Sequence, residues 1–265
     1  MGKAMELITG RAVAPTATLT TVTMSAGNSA TVRAAAPDSA AWLLSAWALN
    51  QTAGQLQIRS PLLHDNVRGM RFQVPAGTPR PVFHSLPAQR LFSHDALTIE
   101  LSGSVTAGDI EQMGAIILYD DLPGVNANFL SPEDVWNRAI NIVTVENTIT
   151  TTAGGGYTGE ELLNAESALL RSNTEYARVG FCVRANCNAV RWRSSDWGNL
   201  GIGGPGIVSA TEITSHWFEQ LSIIHNKPLI PVFNSDNIGS LLIDAMVDEN
   251  ATAIPVSTIL VQLSK

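Results

Sequence analysis

Ile58-Arg59-Ser60-Pro61, in the first half of this 265-residue chain, has a counterpart in the second half, Trp192-Arg193-Ser194-Ser195. Each stretch places an Arg-Ser pair before a short polar turn. Two further matches come later in both halves, in the same order: Phe92-x-x-Asp95 with Phe233-x-x-Asp236, and Ile116 with Ile259 in short apolar strands. The offsets of 134, 141 and 143 residues drift slowly, as expected of two copies that diverged through small insertions. The sequence therefore predicts a duplicated unit, which is more typical of a building block than of an enzyme with one cleft.

Most of the chain carries β-strand patterns. The apolar run Ala41–Leu49 corresponds to Tyr176–Arg184, which alternates with period two, so we predict a strand in both places. The segments Leu19–Met24 and Ala30–Arg33 flank Ala26-Gly27-Asn28, which is a hairpin signal. Pro and Gly recur about every eight to twelve residues, the spacing of a sandwich or barrel.

Two segments carry helix signals instead. Ser131–Ile140 begins with a Ser cap, Pro at the first helical position and acidic residues in the first turn, and it lies where a linker between the copies is needed. Thr211–Ile224 places apolar residues on one helical face. The glycine-rich stretch Thr150–Tyr157 between these helices is predicted to be a flexible loop.

These elements fit a mainly β fold of two tandem jelly-roll β-sandwiches, with a linker helix between them and one helix in the second half. We predict an N-terminal arm over residues 1–15, a first jelly roll over residues 16–123, and the linker helix with the second jelly roll over residues 124–265. The arm is predicted because Met1–Pro15 shows little periodicity. A single large sandwich with a helical insertion is the alternative.

Composition restricts the function. Charged residues make up 15% of the chain, below the usual quarter, and the net charge is −7 with lysine only at Lys3, Lys227 and Lys265. Nucleic-acid-binding proteins need clustered basic side chains, so we expect no direct contact with nucleic acid. No apolar run reaches the roughly 20 residues of a membrane span. The N-terminus lacks the apolar core of a signal peptide, which predicts synthesis in a cytoplasm.

Histidine residues do not form a recognisable catalytic or metal site. His64-Asp65 and His94-Asp95 resemble pairs of a base and an orienting acid, but they sit in turn signals, so we interpret them as turn residues. The five histidines show no metal-binding spacing. His216 and His225 are expected at the surface or at an interface.

Three other motifs are also interpreted as structural. Gly201–Gly206 lacks the Lys-Ser/Thr of a phosphate-binding loop and is predicted to be a tight turn between strands. Cys182 and Cys187 are expected on opposite faces of one strand, buried and reduced. Acidic residues without calcium-loop spacing are interpreted as a solvated edge; they are Asp120, Asp121, Asp244, Asp248 and Glu249. We therefore assign no catalytic, cofactor-binding or metal-binding residue, and we predict that the protein is not an enzyme.

Tryptophan and arginine concentrate in one stretch of the second half. Both residue types are enriched at subunit interfaces. We predict an interface formed by Arg191, Trp192, Arg193, Trp197 and Trp217. Core packing and an aromatic sugar-binding platform are the alternatives for the tryptophans.

The tandem β-units, the linker helix and the helix before Pro228–Ser235 together resemble the double jelly-roll major capsid proteins of tailless icosahedral bacteriophages, which often enclose a membrane. The resemblance covers most of the chain and rests on architecture and on the internal repeat. It implies a structural virion protein whose homotrimers form pseudo-hexameric capsomers, because six similar barrels around a threefold axis tile a shell as hexamers would.

The resemblance also implies partners and a location. Neighbouring capsomers would be partners, and the arm Met1–Pro15 would contact minor capsid or vertex proteins or an internal membrane. The protein would reside in the virion after synthesis in the host cytoplasm, with no cofactor. The alternative function is a carbohydrate-binding or virion-decorating β-sandwich, which needs an exposed aromatic patch. An enzyme of the cupin type also duplicates a barrel, but each active barrel needs a His-rich metal motif that this sequence lacks.

Overall fold

A computed structural model describes residues 2–13, 18–33, 40–63, 67, 69–77, 79–83, 88–106, 109–150, 157–162, 170–184, 187–208, 211–247 and 253–264. The strands of the first half are β1 (Gly2–Val13), β2 (Thr20–Thr21), β3 (Thr23–Met24), β4 (Ala41–Leu49), β5 (Gly54–Arg59), β6 (Met70–Val74), β7 (Val82–Phe83), β8 (Gln89–Leu91), β9 (Thr98–Ser102) and β10 (Ile110–Leu122). The strands of the second half are β11 (Asn128–Leu130), β12 (Ala139–Thr150), β13 (Tyr157–Leu162), β14 (Glu175–Val183), β15 (Cys187–Arg193), β16 (Ile202–Gly206), β17 (Ile230–Asn234), β18 (Leu242–Met246) and β19 (Ala253–Leu263). The helices are α1 (Pro132–Arg138), α2 (Thr211–Ser215) and α3 (Trp217–His225).

Strands β1 to β10, which we call the first roll, form two antiparallel sheets. One has the order β3-β1-β10-β4, with β7 and β8 both pairing with β4, and the other has the order β2-β9-β5-β6. The chain crosses between the sheets repeatedly, for example at β4–β5, β8–β9 and β9–β10, and the first and last strands, β1 and β10, lie side by side. This is the strand order of a jelly roll.

Strands β12 to β19, which we call the second roll, repeat that order. Their sheets run β17-β14-β19-β12 and β13-β18-β15-β16, and β11 adds an edge strand beside β17. The strands correspond in sheet order: β12 to β1, β13 to β2, β14 to β4, β15 to β5, β16 to β6, β18 to β9 and β19 to β10, while β17 takes the place of both β7 and β8. The protein therefore has the predicted mainly β fold of two tandem jelly rolls.

The strand register repeats as well. β4 pairs with β10 through a bulge at Leu44, beside the pair that contains Ile116. β14 pairs with β19 through a bulge at Val179, beside the pair that contains Ile259. Ile116 and Ile259 were matched in the sequence, and a bulge in the same place of both sheets is expected if the halves are copies of one unit.

The first-roll sheet that contains β1, β4 and β10 is buried on both faces. Ile8 and Ile117 belong to the core between the two sheets of the first roll. Leu7 and Ile116, on the opposite face, belong to a core that is completed by residues of the second roll. Strands buried on both faces consist of continuous apolar residues, which explains the unbroken run Ala41–Leu49.

The predicted linker helix is confirmed. Ser131 caps α1, because its Oγ accepts the backbone N–H of Asp134 (3.0 Å) while the Asp134 carboxylate accepts the backbone N–H of Ser131 (3.3 Å). A cap of this kind contributes about 1 kcal/mol. The second predicted helix is divided into α2 and α3, with a break at His216, whose backbone is not helical.

Two predictions about the beginning of the chain are wrong. Residues Gly2–Val13 do not form an arm, since β1 pairs along its length with β10. Their sequence shows little periodicity because both faces of β1 are buried. The segment 19–33 does not form a hairpin either, because β2 pairs with β9 and β3 pairs with β1, in different sheets. The predicted loop at Thr150–Tyr157 falls on residues 151–156, outside the described residues.

Candidate interaction surfaces

The residues predicted to form a subunit interface lie mostly inside the second roll. Trp192, Trp197 and Trp217 have no exposed surface, and Arg191 is buried as well. Only Arg193 is partly exposed. The predicted interface role of the tryptophans is therefore wrong, and so is the sugar-binding platform, because these rings fill the core of the chain.

The tryptophans surround a buried arginine that the sequence analysis missed. The Arg178 guanidinium lies over the rings of Trp192 (4.2 Å), Trp197 (5.1 Å) and Phe218 (4.3 Å), and its Nη2 donates to the carbonyl of Ile202 (3.0 Å). Burial without a carboxylate lowers the pKa of Arg178 well below its usual value. Its Nε and Nη1 have no hydrogen-bond partner within the described part of the chain. Cation–π contacts therefore replace much of its hydration.

Trp217 does form an interface, but between the two rolls of one chain. Its ring meets Trp47 of the first roll edge to face, with centroids 6.0 Å apart. The Trp47 indole N–H donates to the backbone carbonyl of Asn188 (2.7 Å), and the Asn188 side chain donates to the carbonyl of Met113 (2.9 Å). Leu7, Trp47 and Asn188 are thus the contact residues that sequence reasoning missed. The unbroken apolar run around Trp47 is the one signal that points to them.

An ion pair lies on the four-stranded sheet of the second roll. Arg191 binds Asp244 through two hydrogen bonds of 2.9 and 2.6 Å, and the Tyr157 ring lies 3.6 Å from the guanidinium. Burial lowers the pKa of Arg191, but the hydrogen bonds to Asp244 together with the charge interactions of Tyr157 and Asp244 outweigh this effect, so that the pKa is raised. Asp244 is therefore a buried partner of arginine, and its assignment to a solvated acidic edge was wrong.

Within the glycine run Gly201–Gly206, Ile202–Gly206 forms strand β16, so the prediction of a tight turn is wrong. Its glycines are required by close approach to other groups. A Cβ on Gly204 would lie 2.6 Å from Nε1 of Trp217, and one on Gly203 would lie 2.9 Å from the Leu7 side chain of the first roll. The missing side chains allow helix α3 and strand β1 to reach this sheet.

The histidines occupy structural positions. His94 adopts a left-handed backbone conformation (φ 61°) in a turn, and the buried Asp95 accepts a hydrogen bond from the Ser60 hydroxyl, as a turn role predicts. His64-Asp65 lies outside the described residues. His216 is exposed, but His225 is buried, against expectation. The described residues contain no group of three or more metal-ligating side chains.

The cysteines differ from the prediction in placement. Cys187 is buried at the start of β15, whereas Cys182 is half-buried near the end of β14, so they lie on different strands. Neither cysteine is part of a disulfide. Burial raises the pKa of Cys182. Within the described residues, no helix has the length and apolar character needed to cross a membrane.

Parts of two sheet faces are exposed to solvent, one on each roll. On the second roll, the first half of β12 is exposed and includes Ile140 and Ile142. On the first roll, the outer side of β5 and β6 is polar, with Arg59 bound to Glu100 (2.9 Å). Arg71 is exposed and donates to the side-chain carbonyl of the buried Gln57 (2.6 Å).

No protein-family model matches the chain, and no curated protein matches it. Among solved structures, the chain is similar to the PBSX exported protein XepA at 10% identity, covering 97% of this chain and 86% of that one, with a TM-score of 0.30. It is similar to the major capsid protein P2 from Bacteriophage PM2 at 6% identity, covering 99% and 98%, with a TM-score of 0.25. The STIV MCP gives 8% identity, 99% and 97% coverage and a TM-score of 0.20. TM-scores this low do not establish a shared fold, so the fold assignment rests on the strand order of the chain.

Proposed function

We propose that the protein is a structural virion protein: a major capsid protein whose homotrimers form the pseudo-hexameric capsomers of an icosahedral bacteriophage shell. It would be made in the host cytoplasm and reside in the virion. We also propose that the chain divides into two units, residues 16–123 and residues 124–265, and that strand β1 belongs to the first unit.

The observation that supports this proposal is the head-to-tail contact of two similar rolls. The first roll contributes the outer face of its β1–β10–β4 sheet, through Leu7 and Trp47. The second roll contributes a different face, formed by β15, β16 and helix α3. A contact between unlike faces of like units can repeat, and it closes into a ring when the rotation per unit is right. Three chains would then supply six rolls.

The burial of the tryptophans and the internal position of β1 disfavour two of the functions considered for the sequence. A carbohydrate-binding sandwich was expected to expose Trp192 and Trp197, which are in the core. A role of residues 2–13 in binding minor proteins or a membrane is not proposed, because β1 is an internal strand of the first sheet.

The proposal is tested by the native mass of the purified protein, measured by light scattering over a range of protein concentrations. We expect a stable particle of three times the chain mass of 28.2 kDa. A particle that stays monomeric at the highest concentration would contradict the proposal, and a glycan-binding screen would then test the carbohydrate-binding alternative.

A further inference from the structure

Each roll contains one sheet face that corresponds to a face used in the contact between the rolls but that takes no part in this contact. Leu7 of β1 donates its backbone N–H to the carbonyl of Gly201 (2.7 Å), and its side chain lies against Gly203 of β16. The second roll has its own version of the β1–β10 face, which we call the β12–β19 face. The first roll has its own version of the β15–β16 face, which we call the β5–β6 face.

The β12–β19 face is open where its counterpart is buried. Met5 pairs with Leu118 as Ile142 pairs with Val261, so Ile142 occupies the position of Met5. By the same register Thr144 occupies the position of Leu7. Met5 and Leu7 are fully buried under the second roll, whereas Ile142 is 68% exposed and Thr144 is exposed too.

Helix α2 protects only part of this sheet. It approaches Gly180 on β14, where an added Cβ would lie 2.2 Å from the carbonyl oxygen of Ser215. β12, the edge strand two positions away, stays exposed at Ile140 and Ile142. Exposed isoleucines on an edge strand invite association with another chain.

The β5–β6 face offers the matching contact points. Arg71 pairs with Gln57 as Gly203 pairs with Arg191, so Arg71 occupies the position of Gly203, where Leu7 makes its contact. Arg71 carries a long side chain where Gly203 has none, so a residue at the position of Leu7 in another chain would meet the Arg71 side chain and would not repeat the close approach of Leu7 to Gly203.

The charges on the two faces are complementary. Glu146 is exposed on β12, two residues beyond Thr144, and Arg71 is exposed on β6. A repeat of the contact inside the chain would bring these side chains within reach of each other. Opposite charges of this kind guide orientation and association.

We propose that the β12–β19 face binds the β5–β6 face of a second copy of this chain, with the same pairing of faces as between the two rolls of one chain but with polar side-chain contacts in place of the close approach at Gly203. Ile142 and Thr144 would enter the contact, and Arg71 of the other copy would receive Thr144 and Glu146. This inference rests on the proposed trimer and adds the surfaces that join its chains.

The first test is the pair of variants Ile142→Asp and Ile223→Asp. Ile223 lies on α3 and is 63% exposed, so it matches Ile142 in residue type and exposure but lies outside both faces. We expect Ile142→Asp to raise the protein concentration for half-dissociation of the trimer by about a hundredfold or more, and Ile223→Asp to leave it unchanged. Circular dichroism and thermal unfolding show that each variant is folded.

The second test is a cross-link that does not depend on weakening the contact. The variant carries Thr144→Cys and Arg71→Cys, with Cys182→Ser to remove the half-buried thiol. Mild oxidation or a short bismaleimide is expected to join chains into covalent trimers. The matched control keeps Thr144→Cys but places the second thiol at the exposed Val105 of the first roll, as Val105→Cys. This control is expected to give no cross-linked dimers or trimers.

The outcomes separate the two proposals. A trimeric parent with trimeric Ile142→Asp and no cross-link between positions 144 and 71 would overturn the assigned faces while leaving the capsid function intact. A parent that is monomeric at all concentrations would overturn the function and the assigned faces together.

Discussion

Substituting Trp47 by alanine should remove a large share of the stability of the protein. The indole is buried between the rolls, stacked edge to face on Trp217 and hydrogen-bonded to the carbonyl of Asn188. It also lies directly on Gly114, where an added Cβ would be 2.4 Å from the ring. Backbone under the ring cannot easily move to fill the space that the ring leaves.

The magnitude follows from these contacts. Replacing a buried Trp by Ala typically costs about 3–5 kcal/mol. The lost hydrogen bond, at about 1 kcal/mol, adds to this. We therefore expect Trp47→Ala to lower the free energy of unfolding by about 4–6 kcal/mol, against a total of about 5–15 kcal/mol for a typical protein.

The assay is urea unfolding followed by far-ultraviolet circular dichroism at a fixed protein concentration. Trp136→Ala is the matched control, because Trp136 is 83% exposed and its loss is expected to change the free energy of unfolding by no more than about 0.5 kcal/mol. A Trp47→Ala loss below about 2 kcal/mol, or one equal to that of the control, would refute the view that Trp47 couples the rolls.

Three further predictions concern buried charges. Arg178→Met removes a desolvated cation, and an apolar residue, Leu43, occupies the same position in the first roll. The free energy of unfolding in urea should therefore stay unchanged or rise by up to about 4 kcal/mol. A loss above about 2 kcal/mol would show that the contacts of Arg178 with the aromatic rings outweigh its desolvation. Asp244→Ala should lower the same free energy by about 3–5 kcal/mol by leaving Arg191 buried without its partner, and a loss below about 1 kcal/mol would contradict this. Burial raises the pKa of Glu111, so the protonated carboxyl contributes stability below its unfolded pKa. This contribution is lost as the pH rises through the folded pKa. The free energy of unfolding of the parent relative to Glu111→Gln should therefore fall over that pH window, and a rise would contradict the burial of this carboxyl.

The sequence predicted the duplication because the repeat is marked by residues at strand ends. Arg59 and Arg193 end the corresponding strands β5 and β15, and a polar turn follows each. The linker helix was also predictable, since the Ser131 cap and the acidic first turn act locally. Signals of this kind need no knowledge of tertiary packing.

The errors arose where tertiary contacts override local patterns. β1 was mistaken for an arm because burial on both faces erases alternation. The glycines of β16 indicated a turn, but they make room for Trp217 and Leu7. The Trp192 and Trp197 rings indicated an interface, but they surround Arg178, a buried cation that no local pattern predicts.

The most direct test of the central claim, that two similar rolls join head to tail and that the contact continues between chains, is class averaging of the negatively stained native particle. We expect a closed ring of six lobes with threefold symmetry, in which each chain supplies two neighbouring lobes. A particle with two lobes, or a twofold dimer in which like faces meet, would contradict the claim.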